Sequence, residues 1–236
     1  MKKINELIKL PEVRTIFDLF NNQGIYLVGG CIRDTLSGKE VTDIDFAVDI
    51  DPEEVIKILT NNNIKFYDIG INYGTVTAVI DSKNFEITSL REDIETDGRH
   101  AKVKYTSDIK ADSLRRDFTI NAIYANRDGE LFDFHNGLED IENRRLKFIG
   151  SASDRVKEDY LRILRYFRFY ADFSNFDIDA DLKKVFKEGS KNFSKISKER
   201  IWTELKKIIN HNNSFKSLSM MNEANILSEI SNDISV

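Results

Sequence analysis

Residues 27–34 read Leu-Val-Gly-Gly-Cys-Ile-Arg-Asp, and Asp43-Ile44-Asp45 opens the next apolar run. The run Ile25–Val28 has strand character and closes on Gly29-Gly30. Residues 31–37 then read as a helix stopped by Gly38. In a strand, residues i and i+2 share a face, so Asp43 and Asp45 are expected to project together with Ile44 opposite. Two like charges held that close repel unless a cation lies between them. Glycine lets a backbone approach a ligand closely, and a helix N-terminus after it offers N–H groups to a phosphate. Gly-Gly alone favours an ordinary strand-to-helix turn, and Asp-x-Asp alone a pair of turn carboxylates. At this spacing the two together read as a phosphate cradle beside a Mg²⁺ site, with Asp43 and Asp45 holding two Mg²⁺ ions. Arg33 is in reach of the same phosphates, and Glu86, on a later strand, is a candidate third carboxylate, its bland reading being a surface strand residue.

Working outward, Pro11 marks the first turn of a helix to about residue 22, and Asp51-Pro52 starts one to about residue 61. Residues 44–48 form a second strand. Residues 75–80 and 84–90 read as a hairpin turning at Ser82-Lys83, and 120–125 with 130–134 as another. Residues 91–107 are polar and weakly periodic and read as a mobile loop. Beyond Arg144 helical spacing takes over, at about 152–172, 178–189 and 197–210, with Ser197 as an N-cap. The Asn- and Ser-rich end, 210–236, reads as partly loose. Strands first and helices second give an α+β head with a small mixed or antiparallel sheet over residues 1–143. An all-helical neck over 144–210 and a short C-terminal segment over 211–236 follow.

The composition sets bounds. The chain has 236 residues, 41% of them hydrophobic and 16 of them Phe, enough for a real core. The single cysteine, Cys31, excludes an intrachain disulfide and fits a cytoplasmic protein. Two lysines near the N-terminus are followed at once by Glu6, so no signal peptide is expected, and no apolar run approaches a membrane span. The net charge of −5 conceals an asymmetry: residues 144–207 carry 17 Lys/Arg against 10 Asp/Glu, the rest 18 against 30. The charge alone is satisfied by solvated helix faces.

Two further constellations stand out. Arg115-Arg116-Asp117 precedes Phe-Thr-Ile-Asn121, where arginines beside an acid suit a phosphate and a ribose hydroxyl; the bland reading is a surface ion pair. Glu158-Asp159-Tyr160-Leu161-Arg162 places Asp159 and Arg162 at i, i+3 on a helix, with Arg165 and Arg168 extending the row. Leu161, Leu164 and the nearby aromatics bury the other face. Here the bland reading is an intrahelical ion pair.

Taken in order, these motifs resemble those of class II tRNA nucleotidyltransferases, the CCA-adding enzymes of the polymerase β superfamily, and of their relatives the bacterial poly(A) polymerases. The resemblance runs from about Ile25 to Ile209. Gly29 to Asp34 with Asp43 and Asp45 resembles motif A, and Arg115-Arg116-Asp117 resembles motif B, credited with ribose recognition. Glu158-Asp159-x-x-Arg162 resembles motif D, the amino-acid template for the incoming base. Ser197-Lys198-Glu199-Arg200-Ile201 is similar to a later neck motif. The resemblance implies a nucleotidyltransferase head and catalysis by Asp43 and Asp45. It implies nucleotide contacts from Gly29, Gly30, Arg33, Arg116, Asp117, Asn121, Asp159, Arg162, Arg165 and Arg168. Arg91, Asp97, Gly98 and Arg99 match the flexible loop that such enzymes use to switch from C to A.

The template role agrees with base chemistry. Cytosine and adenine each present an amino donor beside a ring-nitrogen acceptor. A carboxylate accepts only and a guanidinium donates only, so Asp159 with Arg162 suits C and A and opposes G and U. The expected activity is addition of CMP and AMP, from CTP and ATP, to the 3′ end of tRNA with release of pyrophosphate. The alternatives are a poly(A) polymerase, a partial CC- or A-adding enzyme, and a nucleotide-binding regulator without turnover. The family commonly continues into helical body and tail segments that grip tRNA, whereas this chain ends soon after the neck. The sequence leaves the oligomeric state open.

Overall fold

The computed structural model describes residues 2–97, 100–173 and 177–234. The chain divides into two units, residues 1–95 with 102–141, and residues 142–236 with 96–101.

The first unit begins with α1 (Lys2–Ile8) and α2 (Pro11–Leu19), followed by β1 (Ile25–Val28), α3 (Gly30–Ser37), β2 (Ile44–Val48) and α4 (Pro52–Asn61). Strands β3 (Lys65–Tyr67), β4 (Thr75–Ile80) and β5 (Lys83–Ser89) come next, then β6 (Arg91–Asp97) and β7 (His100–Tyr105), whose residues 96, 97, 100 and 101 fall in the second unit. The unit is completed by α5 (Ile109–Leu114), β8 (Ile123–Ala125), β9 (Leu131–Asp133) and α6 (Gly137–Glu142), which runs across the unit boundary. Seven strands form one mixed sheet in the order β3-β4-β5-β2-β1-β8-β9. Only β2 and β5 run parallel; the other pairs are antiparallel. The α+β head with a mixed sheet is therefore present. Its core is aromatic, with Phe17 edge-on to Phe46 at 5.5 Å and Phe46 against Phe85.

Local chemistry explains the element ends. Gly38 closes α3 in the left-handed region at φ 72°, as its position predicted. Pro11 and Pro52 stand at the first turns of α2 and α4. Asp51 takes the extended N-cap conformation without a side-chain bond to the helix. The β4–β5 turn is Asp81-Ser82, one residue earlier than expected: both have positive φ, 49° and 63°, and Ile80 pairs with Lys83. Those angles give a two-residue hairpin whose twist matches the strands.

Residues 91–97 and 100–105, expected within a mobile loop, are strands: β6 and β7 pair as a separate two-stranded ribbon. Asp97 ends β6; Gly98 and Arg99 lie outside the described residues. The ribbon's root is closed by the Thr106 N–H donating to the Leu90 carbonyl at 2.9 Å.

The second unit is helical: α7 (Ala152–Glu158), α8 (Leu161–Phe173), α9 (Ala180–Ser190), α10 (Lys198–Ile209), α11 (Ser214–Glu223) and α12 (Ile226–Ile234). Tyr166, Phe167 and Phe186 pack ring on ring at its centre, with Phe186 fully buried. The single helix expected over 152–172 is broken at Asp159-Tyr160. The end expected to be loose is ordered as α11 and α12, because Met221, Ile226 and Ile230 are buried and the Ser217 hydroxyl donates to the Phe167 carbonyl at 2.7 Å. Polar composition concealed a sparse but sufficient apolar face. Among the described residues no helix is long and apolar enough to cross a membrane.

Inside this unit, Arg168 donates to both oxygens of the nearly buried Glu204, at 3.1 and 2.9 Å, and lies over the Phe169 ring. Glu204→Ala leaves that guanidinium without its carboxylate, so the variant is expected to lose about 2–4 kcal/mol of stability. Chemical denaturation checks it, and a loss below about 0.5 kcal/mol would class the pair with surface bridges.

Candidate active site

The end of β1 builds the cradle. Gly29 has φ 77° and ψ −127°, a conformation closed to side chains with a Cβ. A Cβ there would stand 3.6 Å from Arg116 Nη1 and 3.9 Å from the Asn121 carbonyl oxygen, so the turn lies directly against the second arginine of the Arg-Arg-Asp motif. Helix α3 starts at Gly30, and the Arg33 N–H bonds back to the Gly29 carbonyl at 3.1 Å. The N–H groups ahead of it have no acceptor within the helix and form a ready anion site. The Arg33 guanidinium grips Asp34 at 2.9 and 2.7 Å and donates to Asn121 Oδ1 at 2.6 Å. Asn121 Nδ2 in turn donates to Asp117 Oδ1 at 3.1 Å, which also accepts the Phe118 N–H. Gly29, Gly30, Arg33, Arg116, Asp117 and Asn121 are thus gathered at one place. Gly29→Ala is expected to cost about 1–3 kcal/mol through backbone strain, a loss that thermal melts check.

The carboxylates follow from strand register. Asp45 lies on β2 between Val28 of β1 and Glu86 of β5. Asp43 is exposed just ahead of the strand and accepts from the Thr42 hydroxyl at 3.1 Å. Burial pushes the Asp45 carboxyl up to about 6, Glu86 and Asp43 push the same way, and Arg116 and Arg33 oppose them. Asp45 is therefore an acid short of positive charge, close enough to feel both other carboxylates. The donor set is all carboxylate oxygen, the kind Mg²⁺ prefers. Among the described residues no group of three or more Asp, Glu, His or Cys closes into a complete metal cage. Few protein ligands plus substrate phosphates is the usual Mg²⁺ arrangement, so the pair fits the ion.

Cys31 is buried beneath this cradle, and burial pushes its thiol up to about 12, which makes it inert packing.

One residue that sequence reading missed organises the site. Asp112, on α5, is fully buried. It takes Arg115 Nε at 2.8 Å on Oδ1, and Arg116 Nη2 at 3.2 Å and the Tyr124 hydroxyl at 2.6 Å on Oδ2. Burial alone would raise its carboxyl, but Arg116 and Arg115 outweigh that and hold it down at about 2. A depressed acid stabilises the fold above its unfolded value and loses that contribution as pH falls through the folded one. The wild-type head should therefore lose stability between pH 3.8 and about 2. Asp112→Asn should flatten that limb of a pH–stability curve. The available signal was spacing, since Asp112 precedes Arg115 and Arg116 by three and four residues, visible once α5 is known to be helical.

In the helical unit Asp159 is not within a helix. It caps α7 with φ −151° and ψ 106°, and its Oδ1 accepts the Leu161 N–H at 3.1 Å, starting α8. The intrahelical Asp159–Arg162 ion pair of the bland reading does not form. Asp159 Oδ2 takes Arg200 Nη2 of α10 at 2.9 Å, while Arg162 Nη1 donates to the Arg155 carbonyl at 2.8 Å and to Glu158. Arg162, Arg165 and Arg168 do share the half-exposed face of α8, spaced by three, with buried residues between them. Arg168 is committed to Glu204, as described above.

A family profile described as "Poly A polymerase head domain" matches residues 25–147, and one described as "Probable RNA and SrmB- binding site of polymerase A" matches residues 175–235. The chain is 43% identical to human mitochondrial CCA tRNA nucleotidyltransferase 1 over 221 residues, covering 87% of this chain and 51% of that protein. It is 39% identical to the CCA-adding enzyme of Streptococcus gordonii, over 78% of this chain and 45% of the relative. The Bacillus stearothermophilus CCA-adding enzyme in complex with CTP superposes with a TM-score of 0.80 at 28% identity, covering 92% of this chain and 53% of that one. A tRNA nucleotidyltransferase complexed with a primer tRNA and an incoming ATP analog superposes with a TM-score of 0.72 at 26% identity, over 92% of this chain and 61% of that one. The chain spans about half the length of the curated relatives it matches. With a glycine cradle, one carboxylate on the central strand, a second just ahead of it and an Arg-Arg-Asp motif against the glycine turn, this chain belongs to the poly(A) polymerase head-domain family that includes the CCA-adding tRNA nucleotidyltransferases.

Proposed function

We propose that this protein adds CMP and AMP, from CTP and ATP, to the 3′ end of tRNA. The observation that carries the reading is the position of Asp45: on the central strand, between the strand leading into the Gly29 turn and Glu86. The names of the curated relatives support it.

The residues divide the work as follows. The N–H groups opening α3, with Arg33 and Arg116, hold the triphosphate, and Asp117 with Asn121 fixes the sugar end. Asp43 and Asp45 would hold two Mg²⁺ ions, which supply charge stabilisation to the α-phosphate and the attacking hydroxyl when bound. The terminal hydroxyl of the RNA displaces pyrophosphate, and the protein contributes chiefly by positioning and preorganised charge. Asp159 accepts from the base's amino group and Arg162 donates to its ring nitrogen. The named bonds of Arg162 use only Nη1, so its other donors remain for a base. The half-exposed Arg165 of the same face is a further candidate for the phosphates.

A poly(A) polymerase is the second reading, favoured by the wording of both matched family descriptions. Incubation with a tRNA lacking its 3′ end and each labelled nucleotide in turn separates the possibilities. Incorporation limited to C, C and A in order is expected. Long A tracts would favour the polymerase, and binding without incorporation would overturn both readings.

A further inference from the structure

The Asp112 carboxylate has a fourth partner: its Oδ1 also accepts the backbone N–H of Arg91 at 3.1 Å. Arg91 is the first residue of β6, where the ribbon leaves the head. On its other oxygen Asp112 holds Arg116 and Tyr124. The Tyr124 hydroxyl completes a triangle, donating to Asp112 at 2.6 Å and accepting from Arg116 Nε at 2.8 Å. The Arg116 guanidinium is thereby fixed from below, over the Tyr124 ring at 5.1 Å, with Nη1 towards the Gly29 turn. The Tyr124 ring packs in one cluster with Val28, which precedes Gly29, and Leu90, which precedes Arg91. One buried acid and one buried phenol therefore join three points far apart in sequence: the cradle, the arginine beside it and the ribbon root.

We propose that Asp112 and Tyr124 are positioning residues for nucleotide binding, holding the Arg116 guanidinium at the phosphate cradle and tying it to the root of the β6–β7 ribbon. The inference rests on the nucleotide-binding reading above and adds to it residues that touch no substrate. A long arginine side chain loses much rotamer freedom when it is fixed. Three charge-assisted bonds made before any ligand arrives meet that cost in advance, so phosphate binding does not bear it. Because Asp112 Oδ1 serves the ribbon and Oδ2 serves Arg116, displacement of the ribbon root pulls on the carboxylate that aims the guanidinium.

The test is titration calorimetry of CTP and of cytidine against the full chain, for wild type, Tyr124→Phe and Asp112→Asn, alongside amide hydrogen exchange at Arg91. Tyr124→Phe keeps the ring in the core and removes only the hydroxyl. Its CTP affinity is expected to fall about tenfold while its cytidine affinity holds, and exchange at Arg91 stays as in wild type. Asp112→Asn is expected to lower the ratio of CTP to cytidine affinity further and to speed exchange at Arg91. The ratio is independent of how much protein is folded, so a merely structural role would leave it unchanged. An unchanged ratio in Tyr124→Phe overturns the proposal even if Asp112→Asn does not fold. Wild type that binds no CTP overturns instead the nucleotide-binding reading beneath it.

Discussion

Asp45→Ala is expected to abolish nucleotide incorporation, on the order of 10³-fold or more, without unfolding the head. The loss and the survival have the same origin. Burial and the neighbouring Glu86 and Asp43 disfavour the charge on Asp45, so this carboxylate opposes folding in the absence of a cation. Removing it takes away repulsion as well as a metal ligand. Asp45→Asn, which keeps the shape, is therefore expected to melt at or above the wild-type temperature in metal-free buffer and to gain less than wild type from added Mg²⁺. Melts with and without Mg²⁺, run beside a primer-extension assay, read both effects. A variant that extends the primer at more than a few per cent of the wild-type rate, or that melts well below wild type without metal, would remove Asp45 from the role given to it. Asp43 is exposed, so Asp43→Ala should lose activity with little change in melting in either buffer.

Asp159→Ala is expected to blur base choice more than it harms phosphate binding. The preference for CTP and ATP over UTP and GTP should fall about 10- to 100-fold, the worth of one hydrogen bond to a charged group. The surroundings of Asp159 sharpen the design. Its carboxylate also takes Arg200 and the Leu161 N–H, so alanine frees a guanidinium and uncaps α8 at once. Asp159→Asn keeps the size and one acceptor oxygen but sets an NH2 donor against either Arg200 or the Leu161 N–H, so it weakens base reading with less loss of packing than alanine. Arg200→Ala leaves the acceptor in place but unsteadied and should blur selection less. Competition between labelled CTP and UTP in single-turnover extension measures the three variants together. Selectivity maintained in both Asp159 variants would fall outside what the template reading permits.

What near neighbours along the chain dictate was legible in the sequence. A glycine pair after an apolar run marked a strand, a turn and a helix over 25–37, and the next apolar run marked β2, which carries Asp45 with Asp43 one residue ahead of it. These follow from φ/ψ limits and side-chain period, which act within a few residues. Tertiary structure alone decided the rest. The parallel pairing of β2 with β5 brought Glu86 beside Asp45. The buried Asp112 joined two arginines, a tyrosine and the ribbon's first N–H. Arg200, distant in sequence, took the Asp159 carboxylate that the bland reading paired with Arg162. The physical reason is the same each time: a charge or polar group taken from water accepts whichever partner the packed chain delivers, and that partner is set by long-range pairing of strands and helices.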